Sequence, residues 1–133
     1  MMTKSRRWAC GMACALAMIM PVLARADVTV LLDTELYPTD KEPQASGSAD
    51  GYETLGYPFD AELTVIVRDV FSTDTVAVLI NGEFVATIAL ADGSGEVTLQ
   101  GRLGTDVPFI NQGDVLDIVR ADDGVLLLEG VFD

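Results

Sequence analysis

Asn81-Gly82 stands between two runs that alternate apolar and polar residues, and this constrains the fold more than any other feature of the chain. Asparagine and glycine both tolerate positive φ, which a two-residue type I′ turn demands at its two central positions. The strand over 75–80, with Val76, Val78 and Ile80 on one face, must therefore turn back as an antiparallel strand over 83–90. The same alternation recurs elsewhere. Val28, Val30 and Leu32 mark a first strand over 27–33. Leu63, Val65 and Val67 mark another over 61–70, opposed by Glu62, Thr64, Ile66 and Arg68.

Further on, Asp92-Gly93-Ser94-Gly95 is a second tight turn, and 96–103 is expected to return as a meander. A loop over 104–113 contains Pro108. It leads into a strand over 115–120, a turn at Ala121-Asp122-Asp123-Gly124 and a closing strand over 125–132. Pro38, Pro43, Gly47, Gly51, Gly56 and Pro58 punctuate 34–60, which reads as a long loop packed on the sheet with one short edge strand near 45–52. No stretch after residue 26 carries a 3.6-residue apolar stripe. The expectation is an all-β domain, an antiparallel β-sandwich or partly closed barrel of about seven short strands.

The first 26 residues have the order of a secretory signal peptide. Lys4, Arg6 and Arg7 are followed by an uncharged apolar run from Ala9 to Leu23, and then Ala24 and Ala26 stand where a signal peptidase reads small residues. The run is short for a membrane anchor. Cys10 and Cys14 sit at its start, not after it as a lipid anchor would require. Cleavage after Ala26 leaves 27–133 as a single domain destined for the periplasm or for secretion, with no stable membrane insertion. Both cysteines leave with the signal, so the core must form without a disulfide. Four of the eight Lys+Arg leave too, while all 21 Asp+Glu stay, which takes the formal charge from −13 to −17. Only Lys41, Arg68, Arg102 and Arg120 oppose it. Nucleic acid and anionic lipid are repelled by such a surface.

Histidine is absent from the whole chain. Without it and without thiols, no Ser-His-Asp triad, no Cys-His pair and no zinc or copper site of the usual ligands can be assembled. Carboxylates remain. Asp92 and Glu96 in one acidic glycine turn, and Asp122 and Asp123 in another, are the candidate calcium ligands, although Asp and Gly are also what tight turns prefer. Asp117 and Arg68 lie within strands, where either outward exposure or a buried pairing would fit. Tyr37, Tyr52, Tyr57 and Phe59 could form a ligand-stacking platform or lids over an open face of the sheet.

Two segments carry a resemblance. The run Val76-x-Val78-x-Ile80-Asn81-Gly82, continuing through Gly93-x-Gly95 and Val107-Pro108-x-Ile110 to Leu126-x-Leu128-x-Gly130-x-Phe132, resembles small exported bacterial β-modules. Pro43-x-Ala45-Ser46-Gly47-Ser48-Ala49, ahead of the strand at Leu63, is similar to the opening of CHRD (chordin-type) domains. The resemblance implies an extracytoplasmic sandwich and transfers no catalytic, cofactor or ligand residue. The expected function is non-catalytic binding or scaffolding of an extracytoplasmic protein or glycan, with an exposed strand edge as the docking surface. The alternatives are a calcium-assisted adhesion or matrix component and a small carboxylate-dependent glycan hydrolase.

Overall fold

The computed structural model describes residues 28–55 and 60–133. The expected signal peptide with Ala24 and Ala26 lies outside these residues, as do Tyr57 and Phe59. The described residues form eight antiparallel strands: β1 (Val28–Pro38), β2 (Ser46–Leu55), β3 (Asp60–Arg68), β4 (Thr75–Ile80), β5 (Glu83–Ala89), β6 (Gly95–Gly101), β7 (Val115–Arg120) and β8 (Leu126–Val131). They form one sheet in the order β5-β4-β7-β8-β1-β2-β3-β6. The fold is all-β, as the alternation requires, and the sheet curls into a nearly closed barrel.

Strand β1 joins the two halves. Val28 to Leu36 pair with β2, whereas Tyr37 and Pro38 pair with β8. The chain thus passes from one layer to the other within a single strand. Between the layers lie Leu63, Val65 and Val67 of β3, Val76 and Val78 of β4, Leu116 and Ile118 of β7, and Leu127, Leu128 and Phe132, each essentially inaccessible to water. Each such side chain contributes about 1.5–3 kcal/mol on burial. Bulges at Val78/Leu79 and Ile118/Val119 add the local twist that a curling sheet needs.

Two expectations are corrected. Within 34–55 the chain is mostly strand, and the short edge strand expected near 45–52 is longer and central. β1 runs on to Pro38, and Ser46 to Leu55 form a central strand paired along its length with β1 and β3. Its inward residues Gly47, Ala49 and Gly51 are all buried, as is Ala45 just ahead of it. The period-2 pattern is there, but it is written in small residues. Large neighbours on both sides fill the space they leave. A Cβ on Gly47 would sit 2.5 Å from the Ile66 carbonyl oxygen and 3.0 Å from Leu36 Cδ1.

The second correction concerns β6. It does not form a meander with β5; its ladder partner is β3. The Asp92-Gly93 turn is tight, with φ of 53° and 81° and a mutual bridge between Ala91 and Ser94. The 69–74 segment holds it: the Val70 N–H donates to the Gly93 carbonyl at 2.9 Å and the Leu90 N–H to the Asp74 carbonyl at 2.8 Å. Beyond the turn, β5 and β6 diverge into opposite layers. Asn81 and Gly82, with φ of 52° and 83°, form the expected hairpin turn.

Candidate functional site

Because β5 and β6 end the sheet, the barrel has a seam. It is pinned shut at the Ala91–Ser94 bridge and unpaired along its remaining length. Neither strand has a ladder partner on its seam side among the described residues, so each leaves backbone N–H and C=O groups without a sheet partner there. Val85 and Leu90 of the first wall, and Val97 and Leu99 of the second, pack against the core yet are only partly buried.

At its open end the seam widens into a groove lined by Phe84 and Val85 on one side and by Leu99, Pro108 and Phe109 on the other. Phe84 and Phe109 are 65% and 67% exposed, too open to be core residues. Both walls are held by hydrogen bonds. The Asn81 N–H donates to the Val115 carbonyl at 2.8 Å, and the Val115 N–H donates to Asn81 Oδ1 at 2.9 Å, which fixes the hairpin that carries Phe84. Opposite, the Arg102 N–H donates to Asp106 Oδ2 at 2.8 Å, and buried Val107 anchors the loop. Phe109 lies over Gly104, whose missing Cβ would be 2.7 Å from its ring. Glu83 and Asp106 also line the groove, and no basic residue among the described residues does.

A second arrangement lies on the outer face of the half of the sheet formed by β5, β4, β7 and β8. Asp117 of β7 is directly opposite Glu129 of β8, with Leu79 on its other side and Tyr37 beyond Glu129. Asp117 Oδ1 is buried and has no hydrogen-bond partner. Burial, and then the neighbouring Glu129 carboxyl, push the Asp117 carboxyl up to about 6. Asp117 thus faces away from the core, as exposure would have it, but is half-covered and shares its place with a second acid. The two carboxyls are cross-strand neighbours on one sheet face and do not oppose each other across a groove.

A third carboxylate is structural. Glu42 is 3% exposed and accepts the N–H groups of Phe71 at 3.4 Å and Ser72 at 3.0 Å. Burial raises its pKa, but the hydrogen bonds from Ser72, Phe71 and Gln44 outweigh that and hold it below the usual glutamate range.

The acidic turns are not brought together. Asp123 pairs with Arg120 at 2.8 Å and accepts the Val125 N–H at 3.1 Å, closing its own turn. Asp92, Glu96 and Asp122 are exposed, and no group of three or more His, Cys, Asp or Glu that could hold a metal ion occurs among the described residues. Tyr37 is 67% exposed on β1, so it is no lid. Tyr52 lies farther along the sheet opposite Leu31 and donates to Glu62 at 2.8 Å. Arg68 is exposed.

Sequence reasoning missed Phe84, Phe109 and Glu129. Phe84 had a signal: it lies beside Val85 in a strand whose alternation slips at that point. Glu129 had one as well, a lone charge closing the run Leu126-Leu127-Leu128. The chain matches no protein-family model, and no curated protein and no solved structure matches it.

Proposed function

We propose that this is a non-catalytic, exported β-domain that binds or scaffolds another extracytoplasmic component, and that the seam between β5 and β6 is where the partner docks. One observation carries the reading: two sheet-end strands flank partly buried core residues and a groove with two exposed phenylalanines. A partner seated there would cover apolar surface and pair free backbone groups in one step. The leader-like first 26 residues and the resemblance to small exported β-modules support the same setting. The strong negative charge argues against nucleic acid and anionic lipid as partners.

A photo-cross-linking amino acid placed at Phe84 tests this in the native host, with the same group at Leu31 as control. Leu31 is 60% exposed but lies on β1, away from the seam. A discrete adduct from position 84 and none from position 31 is the expected result. Absence of any adduct from 84, or equal adducts from both, would refute the assignment.

A further inference from the structure

Resting on the seam as docking place, we infer that its occupant is an extended, cationic segment of another polypeptide, bound by strand addition with an apolar side chain set between Phe84 and Phe109. Three features select this chemistry. The first is the pair of unpaired edges. A chain lying along β5 or β6 would satisfy their N–H and C=O groups in register, which a sugar cannot do. The second is the nature of the anchor. Phe84, Val85, Leu99, Pro108 and Phe109 offer apolar surface beside the polar side chains of Asn81 and Thr105, and the two exposed rings suit an aliphatic or aromatic side chain.

The third is charge. Glu83 and Asp106 stand at the groove, and none of Lys41, Arg68, Arg102 and Arg120 lines it. Alternation along a strand would then set lysine or arginine of the partner toward the carboxylates while its neighbours enter the groove. A second copy of this chain fails on the same ground. Each copy is strongly anionic, and two seams would oppose Glu83 to Glu83 or to Asp106.

The test uses the protein exported and processed by an expressing host, with fluorescently labelled short peptides alternating lysine with phenylalanine and valine. Controls are the same peptide with glutamate for lysine, the lysine peptide N-methylated at alternate amides, and a soluble chito-oligosaccharide. Anisotropy titrations at low salt should show saturable binding of the lysine peptide. The glutamate and N-methylated forms should bind about tenfold more weakly or worse, and added salt should weaken the lysine peptide. A Phe84→Ser/Phe109→Ser variant should lose about tenfold in affinity while keeping its unfolding midpoint, since both rings are exposed.

Undiminished binding to that variant would overturn both the cationic-strand assignment and the seam itself. Preferential binding of the glutamate peptide or the oligosaccharide, lost in the double variant, would overturn the cationic strand and leave the seam standing. Equal binding of the N-methylated peptide would overturn strand addition. Failure of every probe would overturn the proposed chemistry, with the cross-linking experiment deciding on the seam separately.

Discussion

Replacing Asp117 by asparagine should make the protein more stable at neutral pH, although it removes a native side chain. Asp117 keeps one oxygen buried without a donor and faces Glu129, and its carboxyl titrates near 6 in the folded state. The unfolded chain titrates it near the ordinary value, about two units lower. Each unit corresponds to about 1.36 kcal/mol, so the full cost of ionisation would approach 3 kcal/mol. Much of the side chain still meets water, and screening reduces the expected cost to about 1–2 kcal/mol.

The sign follows from linkage. The folded state holds this proton more tightly than the unfolded state, so the penalty is complete above pH 6 and disappears as pH falls toward the unfolded value. Asparagine carries no charge and can donate to Glu129. Urea unfolding of wild type and Asp117→Asn, followed by far-ultraviolet circular dichroism, is the suitable assay because the only tryptophan, Trp8, lies in the expected leader. The variant should be more stable by about 1–2 kcal/mol at pH 7.5, and the difference should close toward zero near pH 4. A variant less stable than wild type at pH 7.5, or a difference that does not change with pH, would refute the reasoning.

Two other substitutions test the frame of the fold. Glu42→Ala should cost about 2–4 kcal/mol, because the Phe71 and Ser72 N–H groups lose a buried charged acceptor. The Glu42 pKa is lowered on folding, so this contribution is present above the ordinary glutamate range and is lost as pH falls through the folded value; wild-type and variant denaturation midpoints should therefore converge in acid. Gly47→Ala should destabilise by about 1–3 kcal/mol, read as a lower melting temperature, since its methyl group would press on the backbone of β3.

Much of the fold was legible because strand alternation and turn chemistry are local. Asn81-Gly82 needed only its own two backbone conformations to define the β4–β5 hairpin. Val76, Val78 and Ile80 needed only the two-residue period to declare a common face. The length of β2 and its central place were illegible for a definite reason, although a short edge strand near 45–52 was expected. Alanine and glycine mark the core face of a strand only when their neighbours are large, and the neighbours come from β1 and β3. The β6 pairing was hidden for a related reason. A tight turn shows that the chain reverses, but whether the next strand stays beside the last depends on an available edge elsewhere, here that of β3. The seam and its two phenylalanines follow from that choice.

By itself the order of residues determined an antiparallel all-β fold, a strongly negative formal charge and the positions of its sharp turns. These depend on side-chain type, charge and local backbone freedom, which neighbours along the chain suffice to specify. Tertiary structure decided which strand edges remained unpaired, that Phe84 and Phe109 share one groove, and that Asp117 meets Glu129. Those are encounters between residues distant along the chain, and they exist only once the sheet has curled and stopped short of closing.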